Sequence, residues 1–159
     1  MHQALKKLAS LATVVAAVSM ATASIAAAGE CPADKVGVDV TPPGPMMPSN
    51  VTDTVISSID LGQGYQIPGR QLRMRRLVIK PGGVVPWHSH SERPANIYVV
   101  SGNVTEYRST CAVPITHRKG DVVAEMGATS HWWRNNGWRT AILLSADILP
   151  PAMNPDSSM

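Results

Sequence analysis

Two histidines separated by one residue, His88 and His90, are the side chains in this sequence best suited to chemistry. Side chains two residues apart on a β-strand point to the same face, so both imidazoles can enter one cavity. Neutral imidazole binds divalent iron, copper, nickel and zinc. The pair therefore predicts a strand that presents two ligands to one metal ion, although a His-x-His pair on its own is a weak signal.

The spacing of the surrounding residues strengthens this interpretation. It resembles the two sequence motifs of the cupin family, G(X)5HXH(X)3-4E(X)6G and G(X)5PXG(X)2H(X)3N. The residues that fill the first motif are Gly82, His88, His90 and Gly102, and those that fill the second are Gly120, His131 and Asn135. The resemblance implies one small, jelly-roll-like β-barrel with one divalent metal ion inside, held by His88, His90 and His131. Without the motif, His131 could equally be a core residue.

The first motif departs from the family at one metal ligand, because its Glu position holds Ala95. Some cupin metalloenzymes work with three histidines and no carboxylate, so the resemblance still implies a metal site. Glu92 is the alternative fourth ligand, but residues 91–94 read as a turn in which it would face solvent or pair with Arg93. Three neutral imidazoles alone leave an ion strongly Lewis acidic, which favours an anionic, chelating substrate. The sequence does not distinguish iron, copper, nickel, manganese and zinc.

Alternation along the strand that holds His131 predicts a pocket beside the metal. Trp133 and Asn135 fall on the same inner face as His131. The small Ala95 leaves room where the motif has Glu. These three residues, Ala95, Trp133 and Asn135, are therefore predicted to line the pocket of a small-molecule ligand or substrate, with filling of the barrel as the alternative role for Trp133.

Five further residues carry weaker expectations. Trp87 and Trp132 point outward by the same alternation and predict either a sheet-to-sheet contact or a homodimer face. His117 stands beside two basic residues and is expected to be solvated in a loop. The strand with Arg73 and Arg75 is expected to present these arginines to solvent, and the alternative is an inward Arg that binds an anionic substrate.

The elements that must position these residues are predicted to be all β. Thirteen Pro, twelve Gly and no Phe weigh against a helical bundle. Short segments rich in Val, Ile, Thr and aromatic residues alternate with Gly, Pro, Asn or Ser, which is typical of an antiparallel sandwich or barrel. Strands are expected at 55–60, 71–80, 95–100, 104–108, 121–126, 131–134 and 139–149. They belong to one cupin domain at 51–150, which follows a Pro- and Gly-rich arm at 29–50 and precedes a flexible tail at 151–159.

The first 28 residues have the pattern of a cleaved secretory signal. Lys6 and Lys7 precede an uncharged run at 8–28 that ends in three Ala. Cleavage after Ala28 would give an exported, soluble protein without a membrane anchor, and the Ala-rich style suggests a bacterial periplasm or secretion. A membrane-spanning anchor is the alternative. In an oxidising compartment Cys31 and Cys111 are expected to form a disulfide, with two free thiols as the alternative.

Charge and composition narrow the class of function. From residue 29 onward, basic residues exceed acidic ones by one, so no nucleic-acid partner is expected. The open three-histidine arrangement resembles that of cupin dioxygenases acting on diketones, thiols or flavonols. No catalytic acid or base is identifiable in the sequence. The alternative is a non-catalytic cupin that binds a small molecule or metal.

Overall fold

The computed structural model describes residues 29–151. The predicted signal segment at 1–28 and residues 152–159 of the predicted tail lie outside the described residues. Within the described part, the chain forms strands, loops and a single short 3-10 turn at Ala33–Lys35. The strands are β1 (Ser49–Asp60), β2 (Gln71–Ser89), β3 (Ala95–Ser101), β4 (Asn103–Arg108), β5 (Ile115–Arg118), β6 (Val122–Glu125), β7 (Ser130–Arg134) and β8 (Ala141–Leu149).

All eight strands belong to one curled antiparallel sheet. The strand order is β5-β4-β7-β2-β8-β3-β6, and β1 pairs with β2 beside this path. The all-β barrel architecture that the sequence predicts is therefore confirmed. The long strand β2 connects the two halves of the barrel, since its first part pairs with β1 and β8 and its second part pairs with β7.

A bend in the middle of β2 makes this change of partners feasible. Gly82 adopts a φ of 75°, in the left-handed region that side chains rarely occupy. A Cβ on the next residue, Gly83, would stand only 2.6 Å from the backbone oxygen of Asn50. The sequence predicts a turn here, because Pro81-Gly82-Gly83 is turn-like, but the strand continues through the bend and delivers His88 to the barrel interior.

The core follows from alternation along the strands. On β8 every second residue is buried, from Ala141 to Leu149, as expected for strands with one inner face. The buried apolar cluster that surrounds the site consists of Leu77, Ile79, Val85, Ala95, Ile97, Val99, Val104, Val123, Trp133, Ala141 and Leu143. The same alternation on β5 buries His117, so its predicted position in a solvated loop is wrong.

The N-terminal arm is tied to the barrel at several points. Cys31 and Cys111 form the expected disulfide, which is thereby confirmed. Backbone hydrogen bonds run from Trp87 N to Pro45 O at 2.7 Å and from Ala112 N to Lys35 O at 2.9 Å. The arm is therefore a packed part of the fold.

The arm also packs against Trp132, one of the two Trp residues predicted to point outward. A Cβ on Gly44 would collide with the indole of Trp132, so this glycine permits the arm to cross the ring directly. Trp132 stacks on Tyr107 with ring centroids 4.0 Å apart. This face of Trp132 is thus occupied by the chain itself, and a homodimer built on Trp87 and Trp132 remains a prediction.

None of the helical segments among residues 29–151 has the length and hydrophobicity that a membrane-spanning helix requires.

Breaking the disulfide should lower the stability of the barrel. A bridge across 80 residues restricts the unfolded chain, and removing such a bridge costs about 2–4 kcal/mol. The double variant Cys31→Ser/Cys111→Ser should therefore unfold at lower urea concentration than the wild type, and its less restricted unfolded chain should give a steeper slope of the free energy against urea. Reductant should destabilise the wild type and leave the double variant unaffected; a wild type indifferent to reductant would contradict the expectation.

Candidate metal centre

Three imidazoles meet at one point inside the barrel. His88 lies at the end of β2 directly opposite His131 on β7, and His90 follows one residue after the end of β2. The Nε2 atom of His90 is 3.0 Å from that of His88 and 3.0 Å from that of His131, and the third separation is 3.2 Å. The structure thus brings together the three histidines that the sequence nominates.

The opposite ring nitrogens show why the three Nε2 atoms are free to bind. Nδ1 of His88 lies 2.8 Å from the backbone oxygen of Pro86, and Nδ1 of His90 lies 2.7 Å from that of Arg93. A carbonyl oxygen only accepts, so each Nδ1 carries the proton and donates it. In the neutral form with its proton on Nδ1, each ring directs an unprotonated Nε2 at the common point, the usual arrangement of a metal-binding histidine.

His131 is held in the same tautomer by a buried carboxylate. Its Nδ1 donates to Glu106 Oε1 at 2.5 Å, and Glu106 Oε2 lies 2.9 Å from Nε2 of His117. Burial alone would raise the pKa of Glu106, but hydrogen bonds from His117 and His131 outweigh it and hold the pKa below its usual range. Arg108 adds two contacts, at 2.7 and 3.0 Å. Glu106 is therefore ionised, and His117 belongs to the support of the site.

A fourth candidate ligand comes from a residue that the sequence pattern does not indicate. Glu125, at the end of β6, lies with an oxygen 2.9 Å from Nε2 of His90. The ligand atoms of Glu125 and the three histidines lie within 4.8 Å of one another. The alternative ligand Glu92 is in an exposed turn and does not belong to this cluster, so its nomination is corrected.

The position of Glu125 explains how Ala95 is tolerated. Ala95 on β3 pairs directly with Glu125 on β6, and directly opposed residues share one face of a sheet. Both residues are buried, with 6% and 2% of their surface exposed. The cluster thus contains a carboxylate from the neighbouring strand where the motif has its Glu on β3, which differs from the expected set of three histidines alone.

The donor set fits a divalent transition metal. Ligand nitrogens about 2.0–2.1 Å from an ion and about 90–110° apart stand roughly 2.8–3.4 Å from one another, and the separations of the Nε2 atoms fall in this range. Burial is the largest cause that lowers the pKa of His88 to about 2, so this ring is neutral at physiological pH. Glu125 Oε1 is buried and has no hydrogen-bond partner, as expected of an oxygen reserved for an ion.

A small cavity of about 20 Å³ opens beside the cluster. That is space for little more than one water molecule or a group of similar size. Trp133 lines it as predicted, and its indole Nε1 lies 3.1 Å from Nδ1 of His131 with the two rings nearly perpendicular. The residues that line the cavity are Arg75, Leu77, Val85, His88, Arg93, Ile97, Glu125, Trp133 and Leu143.

Two residues predicted for the pocket have other positions. Asn135 is fully buried, and its amide nitrogen donates to the backbone oxygens of Ile79 and Arg139, both at 2.8 Å. Its side-chain oxygen accepts from Gly137 N at 2.9 Å, so this side chain fastens the turn between β7 and β8 to β2. Ala95 packs in the core opposite Glu125. Neither residue lines the cavity.

The arginines of β2 face inward, contrary to the solvent-exposed arrangement favoured by the sequence. Arg73 and Arg75 are 1% and 4% exposed. Arg73 forms two hydrogen bonds to Asp147, at 3.0 and 2.8 Å, and Arg75 pairs with Asp53. The sequence pattern misleads here because the partners Asp53 and Asp147 lie on β1 and β8, outside the segment that carries the arginines.

Replacing Glu125 should weaken metal binding much more than replacing Glu92. Glu125→Gln keeps the size of the side chain and removes its charge, and even outer-shell changes typically cost about 10–100-fold in metal affinity. We expect a loss of at least this size for Glu125→Gln and no change for Glu92→Gln, measured by competition with a chromogenic chelator. Equal affinities for the two variants would remove Glu125 from the ligand set.

Exchanging the two opposed residues provides a stricter version of this test. The double variant Ala95→Glu/Glu125→Ala moves the carboxylate back to the strand where the motif has it. It should recover part of the affinity that Glu125→Ala loses. Failure to recover any affinity, in a variant with normal circular dichroism, would show that the two positions are not equivalent at the centre.

Comparisons with known proteins agree with this architecture. A family model described as cupin domain matches residues 75–147. The chain is similar in structure to the protein TT1209 from Thermus thermophilus, with a TM-score of 0.52 and 16% identity over 68% of this chain and 91% of that one. It is also similar to the cupin domain of an XRE family transcriptional regulator from Enterobacter cloacae, with a TM-score of 0.50 and 14% identity over 64% and 99% of the two chains.

A third similarity is partial. The match to the cupin domain of Schizosaccharomyces pombe Cnp3 has a TM-score of 0.44 and 12% identity, and it spans 48% of this chain and about half, 54%, of that one. A comparison with curated protein sequences found no match. The motifs, the curled sheet and the family match converge on one conclusion: the chain carries a domain of the cupin family, in residues 75–147.

Proposed function

We propose that the protein is an exported, metal-dependent cupin with oxygenase-like activity on a small, chelating organic molecule. The observation that carries the proposal is the convergence of three unprotonated imidazole nitrogens and one carboxylate at the wall of a cavity. A divalent ion held by His88, His90, His131 and Glu125 would supply Lewis acidity and, in the case of iron or copper, redox chemistry toward oxygen.

Other residues of the chain orient the ligands, exclude water and leave a path for substrate. Glu106 holds the Nδ1 proton of His131, so that His131 presents a constant donor atom. Trp133 covers one side of His131 and keeps that side free of water. His88 is half buried, so the candidate metal centre is accessible from solvent beside this residue. Substrate would therefore enter past His88 and be oriented by the polar residues of the cavity.

The carboxylate of Glu125 alters the electrostatic argument that the sequence suggests. Three histidines alone leave a divalent ion with its full charge of +2, whereas the negative charge of Glu125 offsets part of it. A centre of this kind still attracts an anionic chelator, and the carboxylate also stabilises the ion in the protein. The preference for an anion therefore rests on the other charges around the cavity as well as on the ion.

A non-catalytic binding module is the second candidate. The structurally similar domain from Enterobacter cloacae belongs to a transcriptional regulator, which shows that this fold also occurs in proteins with a regulatory role. Tight ligand binding without turnover would distinguish this candidate from an enzyme.

Metal content and oxygen consumption test the proposal directly. Purified protein should contain about one transition-metal ion per chain by elemental analysis. Iron-loaded protein, prepared without oxygen and then exposed to it, should consume oxygen when supplied with a β-diketone, a thiol or a flavonol. His131→Ala should abolish both metal retention and oxygen uptake, because it removes one of the converging donors.

The matched control is Glu92→Gln, which changes an exposed residue near the same strand end and should leave both measurements unchanged. Full metal content in a His88→Ala/His90→Ala variant would contradict the site. Ligand binding without oxygen uptake under iron, copper, nickel and manganese would contradict the enzyme and favour the binding module.

Export is supported by the signal-like segment at 1–28 and by the disulfide, which is typical of oxidising compartments. Mass spectrometry of protein recovered from the periplasm or culture medium should give a chain that begins at Gly29. Recovery of chains that retain Met1 would contradict cleavage. A control without the segment, expressed from residue 29, should stay in the cytoplasm.

A further inference from the structure

One wall of the cavity carries buried positive charge that the centre of three histidines and Glu125 does not require. Arg75 and Arg93 line the cavity together with His88 and Glu125. Arg93, in the turn after β2, is only 5% exposed. The guanidinium groups therefore stand in the same enclosed space as the ligand atoms of the candidate metal centre.

The acidic partners do not balance this charge. Three guanidinium groups, including that of Arg73 behind the cavity wall, face the two carboxylates of Asp53 and Asp147. Burial raises the pKa of Asp53 to about 6, which still leaves this carboxylate mostly ionised at neutral pH. Even with both carboxylates ionised, the group carries one net positive charge, which Glu125 offsets only while no metal ion is bound. A divalent ion with Glu125 would add one more.

Arg93 is the member of this group whose partners are incomplete. Asp147 already accepts two hydrogen bonds from Arg73, at 3.0 and 2.8 Å, and lies 3.2 Å from Nε of Arg75. Its distance to Nε of Arg93 is 3.9 Å, too long for a hydrogen bond. Nη1 of Arg93 is buried and has no hydrogen-bond partner.

A buried donor without an acceptor is costly, and a guanidinium group matches a carboxylate with two parallel hydrogen bonds. The cavity of about 20 Å³ holds little more than a water-sized group, so it favours the smaller, flat carboxylate over a tetrahedral phosphate or sulfate, with the rest of the molecule outside it. Leu77, Ile97 and Leu143 form the apolar part of the same cavity wall.

We propose that Arg93 is a substrate-binding residue that holds a carboxylate group of a small organic acid against the centre formed by His88, His90, His131 and Glu125. This inference specifies the substrate class of the proposed function. It rests on that function, because the bound acid is a substrate only if the protein is an enzyme. The anion site itself depends on Arg93 and not on a bound metal, so the two can be tested separately.

The experiment uses mature protein in a metal-free form and in a form loaded with zinc, which is redox-silent. Acetate, acetamide and inorganic phosphate are titrated, and binding is followed by the NMR signals of the arginine side-chain N–H groups. Acetate should shift the Arg93 signal in both forms, with tighter binding in the zinc form. Acetamide, which has the same shape without the charge, should bind about ten-fold more weakly or worse, since the hydrogen bonds it accepts are not charge-assisted on both sides.

Three variants make the assignment specific. Arg93→Gln should weaken acetate binding about 10–100-fold, since charge-assisted hydrogen bonds are lost. Arg93→Lys keeps the charge without the planar fork and should fall between this variant and the wild type. Arg76→Gln, an exposed residue on the same strand as Arg75, is the matched control and should bind acetate normally. Arg93→Lys also covers the case in which Arg93→Gln fails to fold.

The outcomes separate this inference from the proposed function. Unchanged acetate binding in folded Arg93→Gln or Arg93→Lys, tighter binding of phosphate than of acetate, or equal binding of acetamide would overturn the carboxylate site. Acetate binding that depends on Arg93, in a protein that never consumes oxygen with any carboxylate substrate, would uphold the site and defeat the oxygenase. Oxygen uptake that is equal in the wild type and Arg93→Gln would uphold the oxygenase and defeat the role of Arg93 in binding its substrate.

Discussion

A buried carboxylate, Glu106, fixes the direction in which His131 presents its unprotonated nitrogen. Glu106 is completely buried and accepts hydrogen bonds from His131, His117 and Arg108. These partners keep it ionised, and an ionised carboxylate can only accept, so the proton must stay on Nδ1 of His131. The Nε2 lone pair then has to face His88, which does the same from the other side. Lone pairs that converge within 3.2 Å repel unless a cation lies between them, so the folded state is prepared for a metal before any metal binds.

The fourth ligand shows that a metal site is specified by the sheet and not by one segment of sequence. Opposed residues on neighbouring antiparallel strands have Cβ atoms about 4.5–5.5 Å apart and point to the same side. A carboxylate can therefore reach the same ion from β3 at position 95 or from β6 at position 125. The chain has Ala95 and Glu125, which are partners in the register of these two strands. A sequence motif that covers one strand detects a carboxylate at position 95 and does not detect one at position 125 on the neighbouring strand.

Local features of the sequence are enough to predict the barrel, the three histidines and the disulfide. His88 and His90 lie two residues apart, and the alternation that starts at His131 correctly buries Trp133 and Asn135. The residues that the sequence misses or misplaces have roles that depend on partners far away in sequence. Glu125 needs the register of β3 and β6, and Arg73 needs Asp147 on β8.

The burial of His117 has a different explanation. The basic residues that follow it are typical of a solvated loop, yet Ile115 and His117 alternate in the same way as the predicted strands. That alternation outweighs the local charge, because the basic residues can point outward or lie beyond the strand. Asn135 is inside as predicted, but a buried amide has two N–H donors and an acceptor oxygen to satisfy, and here backbone groups bond to both donors and to the oxygen. An inward direction is therefore weak evidence for a pocket when the side chain can bind backbone instead.

The arginines raise the question of why a small barrel buries so much charge. Replacing a buried ion-pair group by well-packed apolar residues is often neutral or stabilising, because each charge loses its hydration. The fold therefore gains little from Arg73, Arg75 and Arg93 as a purely structural device. A structural group would also be balanced, whereas here Asp53 and Asp147 leave Arg93 without a full set of acceptors. The imbalance lies at the cavity wall that the candidate metal centre shares. Burying these arginines lowers stability, and Arg93 lacks an acceptor that a further anion would provide. Binding of an anion in the cavity is therefore the best explanation for them.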